Sequence, residues 1–139
     1  MFRFDINEKY LITVSGTTNS GKSTVLSSVI DKFVDNGATI VNDLKSGLRD
    51  RVVIIEYKNE KIGICTEGDV KSILEHWLPR LLDNDCKFII TPTKAHGDTC
   101  AYVNDFAKNN KFILIPLHKF KWDKENDFSI LKNFIFDLF

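Results

Sequence analysis

Residues 10–33 read Tyr10-Leu11-Ile12-Thr13-Val14-Ser15-Gly16-Thr17-Thr18-Asn19-Ser20-Gly21-Lys22-Ser23-Thr24-Val25-Leu26-Ser27-Ser28-Val29-Ile30-Asp31-Lys32-Phe33, and this stretch decides the fold. Tyr10 to Ser15 is a short apolar run suited to a strand. Val25, Leu26, Val29, Ile30 and Phe33 then recur at helical spacing until Gly37 stops the pattern. Between strand and helix lies a loop with Gly16 and Gly21 at its ends. Such a loop can turn its N–H groups inward around an anion, because no Cβ obstructs the approach at the glycines. The helix that opens there aims the positive end of its dipole at the same point. Lys22 is placed to reach phosphate as a point charge, and the Ser23 hydroxyl can ligate Mg²⁺. Thr24 is either helix body or a second phosphate hydroxyl.

Outward from this stretch, strands and helices alternate. Ala38 to Asn42 reads as a second strand ending at Asp43, followed by a polar loop over 44–50. Arg51 to Tyr57 and Lys61 to Cys65 are β-rich runs whose connection, Lys58-Asn59-Glu60, is too short for a crossover helix. They should pair as an antiparallel hairpin. From Asp69 the positions Val70, Ile73, Leu74, Trp77, Leu78, Leu81 and Leu82 follow a helical template, with Pro79 inside it. Lys87 to Thr91 is a strand, Asp98 caps a helix through Asn109 that buries Tyr102, Val103 and Phe106, and Lys111 to Pro116 is another strand. A last helix runs from about Asp127 to Leu138, with Phe134, Phe136, Leu138 and Phe139 on more than one face; an exposed remainder there would favour a homodimer contact. The expected fold class is α/β: one domain over 1–139, a three-layer sandwich with a mostly parallel central sheet and one antiparallel hairpin.

The chain has 139 residues, enough for one core without disulfides or metals. Its 19 basic and 19 acidic side chains cancel, so no long-range field draws it to nucleic acid or an anionic membrane. Three cysteines, Cys65, Cys86 and Cys100, show no metal-ligand spacing and read as reduced thiols. No apolar run is long enough to cross a membrane, and the acids near the start exclude a signal peptide, so a cytoplasmic location is expected.

Gly16-Thr17-Thr18-Asn19-Ser20-Gly21-Lys22-Ser23 resembles the Walker A motif of the P-loop NTPase superfamily. The size and the alternation of elements also look like the small nucleoside- and nucleotide-kinase branch, and like short ATP-binding proteins of bacteria and phage. The resemblance implies a purine nucleoside triphosphate, ATP or GTP, bound with Mg²⁺. It implies a binding set of Gly16, Thr17, Thr18, Asn19, Ser20, Gly21, Lys22, Ser23 and Thr24.

In an open α/β sheet, ligands sit beyond the carboxyl ends of the parallel strands. A carboxylate there should organise the waters of Mg²⁺. Thr66 stands where an aspartate is usual, with Glu67 and Asp69 just beyond; either acid can hold the metal waters, and Asp69 can instead cap the next helix. Asp43 is placed to orient or deprotonate an acceptor hydroxyl, or else makes a local turn. Lys94, with His96 in the same loop, can steady phosphoryl charge or be a solvated loop residue. Arg49, Arg51 and Arg80 are the remaining arginine candidates. Phe120 or Trp122 can stack on the base, or pack beneath the last helix.

Three functions follow. One is an ATPase or kinase-like phosphotransferase, acting on a small molecule or a protein, in which Lys22, Asp43, Glu67, Asp69 and Lys94 carry the chemistry. Another is a module that senses nucleotide and binds a partner without turnover. The third is a small GTPase, for which Cys65 stands in place of the aspartate of the Asp-x-x-Gly turn, and Thr93-Lys94-Ala95-His96 lacks the guanine-reading motif.

Overall fold

The computed structural model describes residues 4–5, 7–16, 21–47, 50–118 and 124–139, the backbone alone for 124–128. Of the candidates above, Thr17, Thr18, Asn19, Ser20, Arg49, Phe120 and Trp122 lie outside the described residues.

The elements run β1 (Lys9–Ser15), α1 (Lys22–Asp35), β2 (Thr39–Lys45), β3 (Val52–Tyr57), β4 (Glu60–Cys65), α2 (Lys71–Asp83), β5 (Phe88–Thr93), α3 (Asp98–Asn109), β6 (Phe112–His118) and α4 (Lys124–Asp137). Among the described residues the fold is α/β, with four helices and a mixed six-stranded sheet ordered β2-β3-β4-β5-β1-β6. β1 pairs in parallel with β5 and β6, and β4 with β5; β3 pairs antiparallel with both β2 and β4. β3 alone therefore runs against the other five.

Alternation along the strands sorts the core onto two faces. Ile12, Val14, Ile62, Ile64 and Ile90 meet Val25, Leu26, Val29, Ile30 and Phe33 of α1 and Ile135 of α4. Leu11, Val52, Ile54, Cys65 and Ile89 meet Leu74, Leu78 and Leu81 of α2 and Val103, Phe106 and Ala107 of α3. Helices on both faces explain why β5 is buried along its whole length. α1 ends as the sequence anticipates. Gly37, at φ +100°, follows the C-cap, its amide donates to Val34 O, and Ala38 N donates to Phe33 O.

The hairpin also forms as expected, closed by a two-residue turn in which Lys58 and Asn59 take φ of 51° and 65°. β2 differs. It continues through Lys45, so Asp43 lies inside the strand rather than at its end, and the loop begins only at Ser46. Its polar composition is tolerated because β2 is an edge strand, exposed at every position but Leu44 and paired irregularly on its one partner. The caps differ too: α3 is preceded by Gly97, and Asp98 sits in its first turn without capping it. Tyr102 is only half-buried, and Val70 is exposed. On α4, Phe136 packs against Phe33 while Ile130 and Phe134 face outward. No helix among the described residues is long and apolar enough to cross a membrane.

Cys65 and Cys86 are buried free thiols, and burial pushes each up to about 12. Because the neutral thiol is the form that the fold favours, both contribute stability below pH 9, and that contribution is lost as the pH climbs from about 9 towards 12. Disulfide-exchange titration of the native protein near pH 8 is therefore expected to modify the part-exposed Cys100 first and the other two only after unfolding. Prompt reaction of all three thiols would contradict this burial.

Candidate functional site

β1 leads into α1 on one face of the sheet, while its neighbour β5 leads into α3 on the other. A crevice opens at the carboxyl ends of such a pair of strands, where the chain departs in opposite directions. A cavity of about 470 Å³ lies at that edge, inside the ~300–1,000 Å³ range of small-molecule sites.

One wall is the start of α1, from Gly21 to Thr24. Gly21 is the N-cap residue at φ 97°, ψ 14°, a left-handed conformation that a glycine adopts without cost. It makes no side-chain cap, and the first turn contains no acid. The dipole of α1 thus meets no carboxylate of its own first turn, which favours an anion at the helix start. Lys22 is 4% exposed and points its ammonium back across the loop, donating to Gly16 O at 2.6 Å.

The facing wall is the segment Thr66–Asp69. β4, from which it emerges, is not adjacent to β1; β5 lies between them. The segment must therefore cross the end of β5 to reach Lys22. Gly68 allows that crossing: a Cβ built on it would fall inside contact distance of the Pro92 carbonyl oxygen. Beyond Gly68, Asp69 Oδ1 accepts from Lys22 Nζ at 2.8 Å. Val70, not Asp69, is the N-cap residue of α2, and that cap has no side-chain hydrogen bond. Gly68→Ala should push the crossing off Pro92 and pull Asp69 from Lys22, at a stability cost of about 1–3 kcal/mol. Equal thermal stability of variant and parent would contradict the tight crossing.

Thr66 is buried, and its hydroxyl accepts from Arg51 N at 2.8 Å while its own N–H donates to Arg51 O. It extends the β3–β4 ladder by one pair. Glu67 lines the cavity and meets Lys45 at 3.5 Å in a part-exposed pair. Asp50 also lines the cavity, and the sequence reading passed it over. In parallel strands, the residues that reach this edge are those that follow each strand. Because β3 runs against the others, the residue that reaches this edge stands before it.

The remaining candidates sit apart from the cavity. Asp43 is exposed on β2. Lys94 donates its amide to Thr99 Oγ1, and neither it nor His96 lines the cavity. Arg51 is turned onto α1, with Nη1 3.2 Å from Ser27 Oγ and 3.0 Å from Asp31 Oδ1, and Arg80 folds back on His76 O of its own helix. The structure therefore joins Gly21, Lys22, Ser23 and Thr24 to Glu67 and Asp69, and leaves out Asp43, Lys94, Arg51 and Arg80.

No family model matches the chain. No curated protein matches it either.

Among the described residues, one ammonium and three carboxylates line the cavity: Lys22 against Asp50, Glu67 and Asp69. Among those residues no three His, Cys, Asp or Glu side chains converge to hold a metal by themselves. A hydroxyl at the helix start with acids opposite suits a hard cation that keeps its waters and shares its coordination with phosphate, as Mg²⁺ does.

Proposed function

We propose that this chain is a P-loop nucleotide-binding protein, a three-layer α/β domain with a mostly parallel central sheet, that binds ATP with Mg²⁺ and transfers or hydrolyses its terminal phosphoryl group. The observation that carries the reading is the buried Lys22 ammonium at the uncapped start of α1, facing an acid-lined cavity at the sheet's switch point. Backbone amides of the loop and first turn would enclose the phosphates, and Lys22 would bind their terminal oxygens. Ser23 would ligate Mg²⁺ and Asp69, or Glu67 beside it, would hold its waters. The metal would supply charge neutralisation on the phosphate oxygens.

In the reaction, an acceptor hydroxyl or water attacks the terminal phosphorus. The bond to the bridging oxygen breaks, and the electron pair leaves with the nucleoside diphosphate. The acceptor's proton passes to a carboxylate. Asp50 and Glu67, which line the cavity, are better candidates for that duty than Asp43 on its exposed strand. Lys22 stays on the phosphoryl group as charge builds there.

A second reading, binding without turnover, is favoured by Thr66, whose hydroxyl is taken by the Arg51 amide at the strand end where an aspartate would serve the metal. Phosphate release from ATP, measured with and without small hydroxyl acceptors and against a Lys22→Ala control, separates the two. Release above the control supports the enzyme. Binding with no release would support the second reading.

A further inference from the structure

We infer that an aromatic cavity at the edge of the sheet opposite Lys22 is a second binding site, shaped and charged for a small aromatic carboxylate. It stands whether or not the first site binds nucleotide.

The cavity measures about 250 Å³ and opens where β3 ends and β4 and β5 begin. Phe88 at its wall pairs with Tyr10 at the start of β1, a strand's length from the loop that leads to Lys22. The walls are the rings of Phe4, Tyr57, Phe88 and Phe139, all of which belong to the core beneath α1 and α4 or pack against it. Phe4 lies 4.6 Å from Phe88 and 5.0 Å from Phe139, and the last two rings are 5.0 Å apart, centroid to centroid. Packing thus fixes the walls before any guest arrives. The volume falls just below the ~300–1,000 Å³ of drug-sized sites, so the guest is nearer one ring than several.

Charge at the rim sets the sign of that guest. Lys58, in the hairpin turn, and Lys87, just before β5, bring two ammoniums to the lining against the one carboxylate of Glu60, which lies 3.7 Å from Lys87. Ring faces attract cations, but here the chain supplies its own: Lys58 Nζ stands 5.3 Å from the centre of Tyr57, and Lys87 Nζ 5.7 Å from that of Phe88. A cationic guest would meet both. Lys58 also donates to Phe139 O at 2.8 Å, a bond that keeps its ammonium at the cavity. An aromatic carboxylate suits both features, with its ring among the four aromatic walls and its charge beside the ammoniums at the rim.

Titration of the protein with phenylacetate, followed by amide NMR shifts and by the melting temperature, tests this against two near-isosteres, neutral phenylacetamide and cationic phenethylamine. Phenylacetate should bind with a Kd of about 1 mM or tighter and raise the melting temperature. It should shift the amides of Tyr57, Phe88 and Phe139. Phenylacetamide should bind about tenfold more weakly, and phenethylamine more weakly still. In a Lys58→Gln, Lys87→Gln double variant the advantage of the acid over the amide should vanish. Equal affinities of the parent for the three compounds would overturn the inference, as would shifts confined to residues around Lys22, or no saturable response up to about 10 mM. So would a double variant of parental melting temperature that holds phenylacetate as tightly as the parent.

Discussion

Lys22→Ala is expected to lower the affinity for magnesium-bound ATP on the order of a hundredfold while leaving the fold intact. A charge-assisted hydrogen bond to phosphate is worth about 1.5–3 kcal/mol, and tenfold in affinity corresponds to about 1.4 kcal/mol. Removing the ammonium adds to that loss, because it is the one cation among the described lining residues and the three carboxylates would then face the phosphates unopposed. Stability should change little. Asp69, left without Lys22, is part exposed and can be hydrated, and the apolar contacts of α1 come from other positions, Val25 to Phe33. Binding calorimetry and a thermal melt check the two halves separately. A variant that binds as tightly as the parent would remove Lys22 from the site, and one that fails to fold would make Lys22 a structural residue.

Phe33→Ala is expected to do the opposite, costing about 3–5 kcal/mol of stability without altering any residue at the cavity. Phe33 is completely buried, and its ring lies 5.2 Å from Tyr57, 5.2 Å from Phe136 and 5.3 Å from Phe139, centroid to centroid. It thus ties α1 to both the hairpin and α4. Truncation leaves a cavity that three rings cannot collapse into without losing one another. Domains of this size have total stabilities of about 5–15 kcal/mol, so the melting temperature should fall by roughly 10–20 °C. Chemical denaturation read by circular dichroism measures the cost; a loss below about 1 kcal/mol would show that the aromatic cluster does not hold α1 in place.

The contrast between these two residues shows what the chain reveals before it is folded. Phe33 was legible because a buried helix repeats its apolar residues every three or four positions, and all five core positions expected of α1 are buried. β1 and α1, on either side of Gly16 and Gly21, were legible because strand, glycines and helix are contiguous in the chain. The acids were not. Asp43 looked suitable because a strand ending there would place it at the edge, but an exposed edge strand accepts polar residues and continues past it. Asp50 was missed because its place depends on β3 running backwards, which residue periodicity does not encode. That Asp69 rather than Glu67 meets Lys22 depends on how the chain crosses β5, a consequence of strand order that no local pattern carries.

A crystal structure grown with magnesium and a non-hydrolysable ATP analogue tests the central claim most directly. The account predicts the terminal phosphates beyond Gly16 and Gly21, within hydrogen-bond reach of Lys22 Nζ, with Asp69 moved off the ammonium and onto the metal's waters. Nucleotide bound elsewhere on the protein, or a Lys22–Asp69 pair unchanged at 2.8 Å with the analogue present in the cavity, would contradict it.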